Sequence, residues 1–369
     1  MSDNVLFTSL AIGNMTLKHR VIMAPLTRMR AQQPGDLPHA LHAEYYGQRA
    51  SQGGLLITEA TNISPDSVGY PWIPGVFTSE QIDGWRAVTE AVHAKGGYIF
   101  NQIWHTGRIS HSSMQPGNNL PVAPSAIAAK GDHIDVNGNS VPFETPRELS
   151  IPEIDIIKAD FVQAVLNAQK AGFDGVEVHG ANGYLLDQFL RSNSNHRTDE
   201  YGGSIENRAR LLLEVVDAVV SATDASFVGV RLSPWGTFND MSNADGLEIW
   251  KYVLEQLSHR GLAYVHLIEP RADFTDDSGE HDSSAPDAAM ELGSYYKGVV
   301  ISAGGFKPET AEQNVLEQRS SAIAFGRLFI ANPDLPARIK AGASMNKWDR
   351  STFYGGGAEG YTDYAFLKA

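Results

Sequence analysis

Short apolar segments alternate with longer amphipathic segments along almost the whole of this 369-residue chain. Most of the apolar segments have no polar face to turn toward water, which is typical of strands in a parallel sheet covered by helices. Eight consecutive strand–helix units predict an α/β fold, a single (β/α)8 TIM barrel over residues 1–369, rather than an open sheet. Strands are predicted at residues 20–25, 55–58, 98–104, 175–178, 227–232, 263–268, 298–302 and 322–325, and helices near 39–52, 79–95, 151–171, 204–223, 243–260 and 286–296.

Three segments interrupt the alternation. Residues 105–150 are rich in Ser, Pro, Asn and Gly, which predicts an excursion over the C-terminal mouth of the barrel. Residues 271–285 concentrate acidic side chains and are expected to form a solvated loop. Residues 354–364, rich in Gly and Tyr, are expected to form a C-terminal flap or a flexible tail.

Composition excludes several classes of function. The chain has no cysteine, so it has no disulfide, no thiolate nucleophile and no cysteine-based metal site. Its formal net charge of −14 disfavours nonspecific nucleic-acid binding. No apolar run approaches the ~20 residues that span a bilayer, and the first residues do not resemble a signal peptide. We therefore expect a cytoplasmic protein without membrane or nucleic-acid partners, as a monomer or a homodimer.

Glycines at two predicted strand ends indicate a phosphate site. TIM barrels often hold a phosphate group on the loops after strands seven and eight, where Gly304–Gly305 and Gly326–Arg327 occur here. The alternative is a pair of ordinary tight turns with a surface arginine. Residues 355–360 also match G-x-G-x-x-G, but they follow no strand and open no helix, so a Rossmann site is rejected.

The segment His179-Gly-Ala-Asn182-Gly-Tyr184 follows the fourth predicted strand and carries the most chemistry. The spacing of His179 and Asn182 would place both side chains on one face of a helical turn, where they could hold a carbonyl or nitro oxygen. Tyr184 would then supply a proton nearby. The alternative for each residue is that it satisfies a neighbouring backbone group.

Six motifs give this chain a resemblance to a known family over nearly its whole length. The motifs are residues 25–28 (PLTR), 102–108 (QIWHTGR), 179–189 (HGANGYLLDQF), 197–208 (RTDEYGGSIENR), 324–333 (AFGRLFIANP) and 354–364 (YGGGAEGYTDY). With these motifs the chain resembles the old yellow enzyme family of FMN-dependent ene-reductases, and within it the bacterial N-ethylmaleimide, pentaerythritol tetranitrate and morphinone reductases.

The resemblance implies non-covalent FMN and a set of residues that hold it. Thr27 would bond the flavin carbonyl near N5, Gln102 the pyrimidine edge, and Arg231 would lie beside N1, where a cation stabilises the charge gained on reduction. For Arg231 the alternative is a buried ion pair. Pro25 and Ala60 would pack along the ring, and Gly304, Gly305, Gly326 and Arg327 would hold the phosphate.

The resemblance also implies a ping-pong reaction in which NAD(P)H is the reductant. Enones and maleimides would be reduced at their activated C=C bond, with nitro compounds or nitrate esters as further candidates. His179 and Asn182 would grip the substrate oxygen, and Tyr184 would donate the proton. Trp104, Tyr70 and Tyr354 would line the pocket, although core packing is the alternative for each aromatic.

Several points stay open at the level of sequence. Acidic residues in 271–285 would disfavour the extra phosphate of NADPH, whereas Lys130, His133 and Arg147 would favour it. The same loop lacks a tryptophan expected from the resemblance, and Phe274 is a candidate substitute.

Two other functions compete with this prediction. One is a metal-dependent barrel hydrolase that uses His105, His179 and His266, although the sequence contains no close-spaced ligand pair. The other is a non-catalytic flavin- or phosphate-binding protein.

Overall fold

The computed structural model describes residues 4–242, 244–270 and 287–368. The acidic loop predicted at 271–285, including Phe274, lies outside the described residues. The strands are β1 (Leu10–Ile12), β2 (Met15–Leu17), β3 (Val21–Met23), β4 (Leu55–Ile57), β5 (Thr61–Asn62), β6 (Tyr98–Trp104), β7 (Val122–Ala123), β8 (Asp132–Ile134), β9 (Ser140–Pro142), β10 (Arg147–Glu148), β11 (Gly175–Gly180), β12 (Val228–Leu232), β13 (Tyr264–Ile268), β14 (Val300–Ala303) and β15 (Ala322–Phe325). The helices are α1 (Ala40–Arg49), α2 (Ser79–His93), α3 (Ile151–Lys170), α4 (Leu185–Leu190), α5 (Ile205–Ala222), α6 (Glu248–Ser258), α7 (Ala288–Leu292), α8 (Pro308–Leu316), α9 (Arg327–Ala331) and α10 (Leu335–Ala341).

Eight parallel strands close into the predicted TIM barrel. Their order around the barrel is β3, β4, β6, β11, β12, β13, β14 and β15, and β15 pairs with β3 to complete the circle. The prediction at 20–25 is too long: β3 ends at Met23, because Pro25 has no N–H to continue the ladder. The prediction at 175–178 is too short: β11 continues through Gly180 in register with β12.

Alternate residues of each barrel strand pack on opposite sides. Val176 and Val178 of β11 belong to the large core between the barrel and its helices, which leaves Glu177 and His179 pointing into the barrel. The lower interior is apolar and is closed by the β1–β2 hairpin, which packs on residues such as Ile57 and Phe100. The polar side chains of the interior therefore lie toward the C-terminal mouth, where the loops that follow the strands begin.

The excursion at 105–150 has structure of its own. It contains the antiparallel β8–β9 hairpin, and β7 pairs in parallel with β10. The hairpin packs over the mouth, because Ile134 and Phe143 contact the cluster that contains Trp104 and Tyr184. Within the described residues, no helix has both the length and the apolar character needed to cross a membrane.

Three buried arginines anchor the C-terminal segment. Arg28 donates to the backbone carbonyls of Phe353 and Gly360, at 2.9 and 2.8 Å, and Arg30 donates to that of Gly357, at 3.0 Å. Arg49 donates to the carbonyl of Tyr361, at 3.1 Å. Because these bonds are numerous and buried, residues 353–361 are held against the barrel beside its mouth.

Candidate active site

Five polar side chains from four neighbouring strands meet inside the upper barrel. Gln102 comes from β6, Glu177 and His179 from β11, Arg231 from β12 and His266 from β13. Strand pairing sets His179 opposite Arg231, and Arg231 opposite His266, while Glu177 lies opposite Gln102. All five are buried. Strand register therefore brings together residues that lie far apart in the chain.

His179 is a neutral hydrogen-bond donor. Burial lowers its pKa well below the usual value, and the nearby Arg231 and His266 lower it further. Its Nδ1 accepts a hydrogen bond from the Ala181 backbone N–H, at 3.3 Å. In a neutral imidazole the proton must then be on Nε2, so His179 can donate to a substrate oxygen.

Asn182 does not share a helical turn with His179, and that prediction is wrong. His179 belongs to β11, whereas Asn182 has a φ of 59° in the turn that follows. Its backbone N–H donates to Ser233 Oγ and its carbonyl accepts from Asn239 Nδ2, both at 2.8 Å. The side-chain Oδ1 is buried and has no partner among the described residues. The turn is thus fixed, while the carboxamide still has bonding capacity for a ligand.

Tyr184 lies in a cluster of aromatic side chains. Its ring is 4.5 Å from that of Trp104 and 5.1 Å from that of His179, edge to face in both cases. Its hydroxyl lies 3.4 Å from the hydroxyl of Tyr70. Burial raises the pKa of Tyr184 well above 10 and that of Tyr70 to about 12. Tyr184 therefore keeps its proton throughout the neutral range. Tyr354, 59% exposed, lies near these two tyrosines, and its hydroxyl contributes to both shifts.

Asn239 also belongs to this site, although it is not among the residues predicted from the sequence. Its side-chain amide hydrogen-bonds to Tyr184 and Tyr70, which partly offsets the rise in their pKa values. It also holds the Asn182 carbonyl. Asn239 and Asp240 both have a φ of 60°, a backbone conformation that Asn and Asp tolerate better than other non-glycine residues. The Asn-Asp pair after β12 was the available signal for this turn.

The residues expected to hold FMN fit that group. Pro25 and Thr27 follow β3 at the mouth, and Ala60 packs in the cluster of Trp104 and Tyr184. The alternative of a buried ion pair is only partly met for Arg231: Glu177 is its acidic neighbour, but the Arg231 Nε is buried without a partner in the described part of the chain. An unpartnered buried donor at this position suits a flavin carbonyl or ring nitrogen.

The two glycine loops expected to hold the phosphate lie side by side. β14 pairs with β15, with Ala303 opposite Ala324, so the loops after these strands are neighbours. Gly304 and Gly305 have φ values of 120° and 65°, which open the loop in a way that other residues resist. Arg327 begins α9 directly after Gly326. This arrangement is compatible with a phosphate cradle, and the assignment itself stays a prediction.

His133 is not available to bind a nucleotide phosphate. It is buried, its Nε2 contacts the Gly69 carbonyl at 2.6 Å, and its ring packs 4.9 Å from that of Tyr70. Burial lowers its pKa to about 4, so it is uncharged at neutral pH. Arg147 is paired with Glu153, at 2.7 Å. Lys130 reaches Asp240, at 3.2 Å, but its side chain is 88% exposed, so it is the most accessible of the three cations.

The histidines considered as ligands of a metal-dependent hydrolase do not form a metal site in the described part of the chain. Among the residues that the structure describes, no three His, Cys, Asp or Glu side chains are grouped so that they could hold a metal ion. His266 instead contacts Glu177, at 2.9 Å, and His179 stacks on Trp104, with 6.0 Å between ring centroids.

Comparisons with known proteins identify the family of this chain. Residues 5–346 match the model of the NADH:flavin oxidoreductase / NADH oxidase family. The chain is 48% identical to the flavin oxidoreductase hxnT of Emericella nidulans, over 98% of both chains. It is 44% identical to 12-oxophytodienoate reductase 1 of Oryza sativa subsp. japonica, over 98% of this chain and 93% of the relative. The solved structure of morphinone reductase in complex with tetrahydroNAD superposes with a TM-score of 0.91 at 46% identity, over 98% of both chains. The chain therefore belongs to the NADH:flavin oxidoreductase / NADH oxidase family, the old yellow enzymes, and is an FMN-dependent oxidoreductase that takes its electrons from a nicotinamide nucleotide.

Proposed function

We propose that this enzyme reduces the activated C=C bond of α,β-unsaturated carbonyl compounds, such as enones and maleimides. The observation that carries the proposal is the pairing of a neutral His179 with a fully protonated Tyr184, whose rings lie 5.1 Å apart at the barrel mouth. One group can polarise a carbonyl and the other can deliver a proton, which together are what reduction of a conjugated alkene requires.

Thr27, Gln102, Arg231, Pro25 and Ala60 would hold the flavin ring. Gly304, Gly305, Gly326 and Arg327 would hold its phosphate. When bound, FMN supplies a hydride to the β-carbon of the substrate, using electrons taken from NAD(P)H. Arg231 places a buried cation where negative charge develops, and a low-dielectric interior makes that charge effective.

His179 and Asn182 would bind the substrate oxygen. The Nε2–H of His179 donates to it, and the Asn182 carboxamide, whose turn is fixed by Ser233 and Asn239, supplies a second donor from its amide nitrogen. Both donors withdraw electron density from the conjugated system, so the β-carbon becomes more electrophilic. A nitro group or nitrate ester presents a similar oxygen acceptor, and we include these compounds in the proposed substrate range.

Tyr184 would donate the proton to the α-carbon. The Tyr184 hydroxyl donates to that of Tyr70, at 3.4 Å, and accepts from the Asn239 amide, so these two neighbours limit the directions in which the O–H can point. Trp104, Tyr70 and Tyr354 would form the pocket walls, a surface suited to flat, partly apolar substrates. NAD(P)H and the alkene would use the same pocket in turn, which gives ping-pong kinetics.

Two features of the relatives support this proposal. The names of the matched plant proteins describe 12-oxophytodienoate reductases, and a structural neighbour is morphinone reductase with tetrahydroNAD bound. Both names describe reductases, and the morphinone reductase structure has a nicotinamide analogue bound to a protein with this fold.

An isotope experiment tests the reaction directly. The enzyme is supplied with cyclohexenone and with NADH or NADPH that carries deuterium at the transferable position, and the product is analysed by mass spectrometry and NMR. We expect deuterium at the β-carbon, and solvent deuterium at the α-carbon when the reaction is run in D2O. Hydrogenation of the carbonyl, deuterium at the α-carbon from the nucleotide, or no turnover would contradict the proposal.

A further inference from the structure

Glu177 is a buried carboxylate below the proposed flavin site, and the proposed reaction does not use it. Glu177 has no exposed surface, and both of its oxygens accept hydrogen bonds. Gln102 Nε2 donates to Oε1, at 2.7 Å, and His266 Nδ1 contacts Oε2, at 2.9 Å. Burying such a group is costly unless it is hydrogen-bonded and compensated by charge, so its presence beneath a ligand site calls for an explanation.

Strand geometry shows how Glu177 spans three strands. Its partner across the ladder on β12 is Gly229, which has no side chain to intervene. Glu177 on β11 can therefore reach past β12 to His266 on β13. A Cβ at Gly229 would lie 2.4 Å from the ring of Tyr264, so this position accepts glycine alone. Glycine at position 229 therefore keeps open the space through which Glu177 contacts His266.

Chemistry then fixes the orientation of Gln102. An ionised carboxylate has no proton to donate, so the atom of Gln102 that faces it must be the amide nitrogen. Burial by itself would raise the pKa of Glu177, but His266, Arg231 and Gln102 together outweigh burial and lower it, so the carboxylate is ionised at neutral pH. The Gln102 Oε1 is then the atom left to accept a hydrogen bond from a ligand.

We propose that Glu177 is a positioning residue for the cofactor site, which turns the Gln102 carbonyl oxygen toward the imide N–H of the flavin and balances the charge of Arg231. The inference rests on the proposed roles of Gln102 and Arg231 in holding FMN. With one cation and one anion this layer of the barrel is formally neutral. Glu177 therefore restrains the extent to which Arg231 favours the reduced, negatively charged flavin.

Two substitutions separate the effect of the charge of Glu177 from the effect of its side-chain length. Glu177→Gln removes the charge and keeps the shape, so Arg231 loses its counter-charge. In the purified holoenzyme we expect the equilibrium ratio of reduced to oxidised flavin to be about tenfold higher in this variant than in the parent. For a two-electron couple this is a positive shift of about 30 mV in the reduction potential. Glu177→Asp keeps the charge but is one methylene shorter, so it releases Gln102. We expect a rise in the FMN dissociation constant of about fivefold, with a smaller change in potential.

Potential is measured by equilibration with a redox dye, and FMN affinity by fluorescence of the released flavin, so neither readout depends on the alkene substrate. If the parent protein binds no FMN, the proposed function fails. If the parent binds FMN and both variants retain its potential and affinity, only the role of Glu177 is refuted. Should Glu177→Gln fail to fold, the affinity of Glu177→Asp decides the question. Loss of cooperative unfolding in both variants would show a purely structural residue and overturn the proposal.

Discussion

Replacement of Tyr184 by Phe should separate the two halves of the catalytic cycle. The phenylalanine keeps the ring that packs 4.5 Å from Trp104 and 5.1 Å from His179, and it removes only the hydroxyl. Cofactor binding and the reduction of the enzyme by NAD(P)H use no proton from residue 184. We therefore expect the rate of flavin reduction to change by less than about twofold, whereas a lost general acid typically costs about 10²–10⁴-fold in the step that it serves.

At neutral pH, the loss of the Tyr184 hydroxyl should have its full effect on the rate of the oxidative half-reaction. Burial raises the pKa of Tyr184 well above 10, so essentially every molecule carries the transferable proton. Burial also lowers the pKa of His179 well below its usual value, so the oxygen-binding group does not titrate either. The oxidative rate of the parent enzyme should consequently be flat between about pH 6.5 and pH 9. The Phe variant should be slower by the same factor at every pH in this range.

Anaerobic stopped-flow absorbance of the flavin measures each half-reaction in isolation. Tyr70→Phe is the matched control, because it removes the hydroxyl that lies 3.4 Å from that of Tyr184 without touching the proposed donor. We expect the control to slow the oxidative half-reaction by less than about tenfold, the effect of one neutral hydrogen bond. Equal losses in both half-reactions of Tyr184→Phe, or no loss in either, would refute the assignment of the proton donor.

Three further predictions concern the cofactor and the scaffold. Arg327→Ala should weaken FMN binding by about 100-fold and leave riboflavin binding unchanged, since riboflavin lacks the phosphate; equal effects on both flavins in a fluorescence titration would contradict the phosphate assignment. Burial raises the pKa of Glu59 to about 7, so the folded protein binds an extra proton between about pH 4.5 and pH 7 and loses stability as the pH rises through this range. Glu59→Gln should lack that loss, so its free energy of unfolding relative to that of the parent should rise by up to about 3 kcal/mol between pH 4.5 and pH 8, as measured by denaturant titration at each pH. If the variant and the parent differ by the same free energy at both pH values, Glu59 is not a buried, protonated carboxyl. Arg28→Met should lower the free energy of unfolding by about 3 kcal/mol and expose residues 353–361 to proteolysis, because the carbonyls of Phe353 and Gly360 lose a buried donor; parental resistance to protease would show that other contacts anchor the segment.

The barrel could be predicted because its signal is repeated along the whole chain. Uniformly apolar strands at eight positions leave few other folds, and the strand at Tyr98–Trp104 has the predicted bounds. The fourth barrel strand is longer than predicted because His179 and Gly180, taken alone, are not typical of a strand. Their pairing with Arg231 and Leu232 is what extends β11, and that partner lies about 50 residues away in the chain.

Local sequence was least informative where long-range packing decides the outcome. Nothing near Glu177 shows which side of a fully buried strand it faces, so its contacts with Gln102 and His266 became visible only in three dimensions. The prediction that His133 favours the phosphate of NADPH is wrong for the same reason: a loop histidine is usually exposed, but here Tyr70 and Phe143 cover it. Residue types and motif order predict candidate residues for the site, whereas strand register and packing determine which of their atoms can contact a ligand.

In the proposed reaction, one pocket passes electrons from a nicotinamide to an activated alkene through bound FMN. An anaerobic spectral titration of the purified holoenzyme measures this transfer. We expect a yellow protein whose flavin absorbance is bleached by about one equivalent of NADH or NADPH and returns in full when cyclohexenone is added. A protein that cannot be loaded with FMN, or one that is bleached and stays colourless in the presence of the enone, would contradict it.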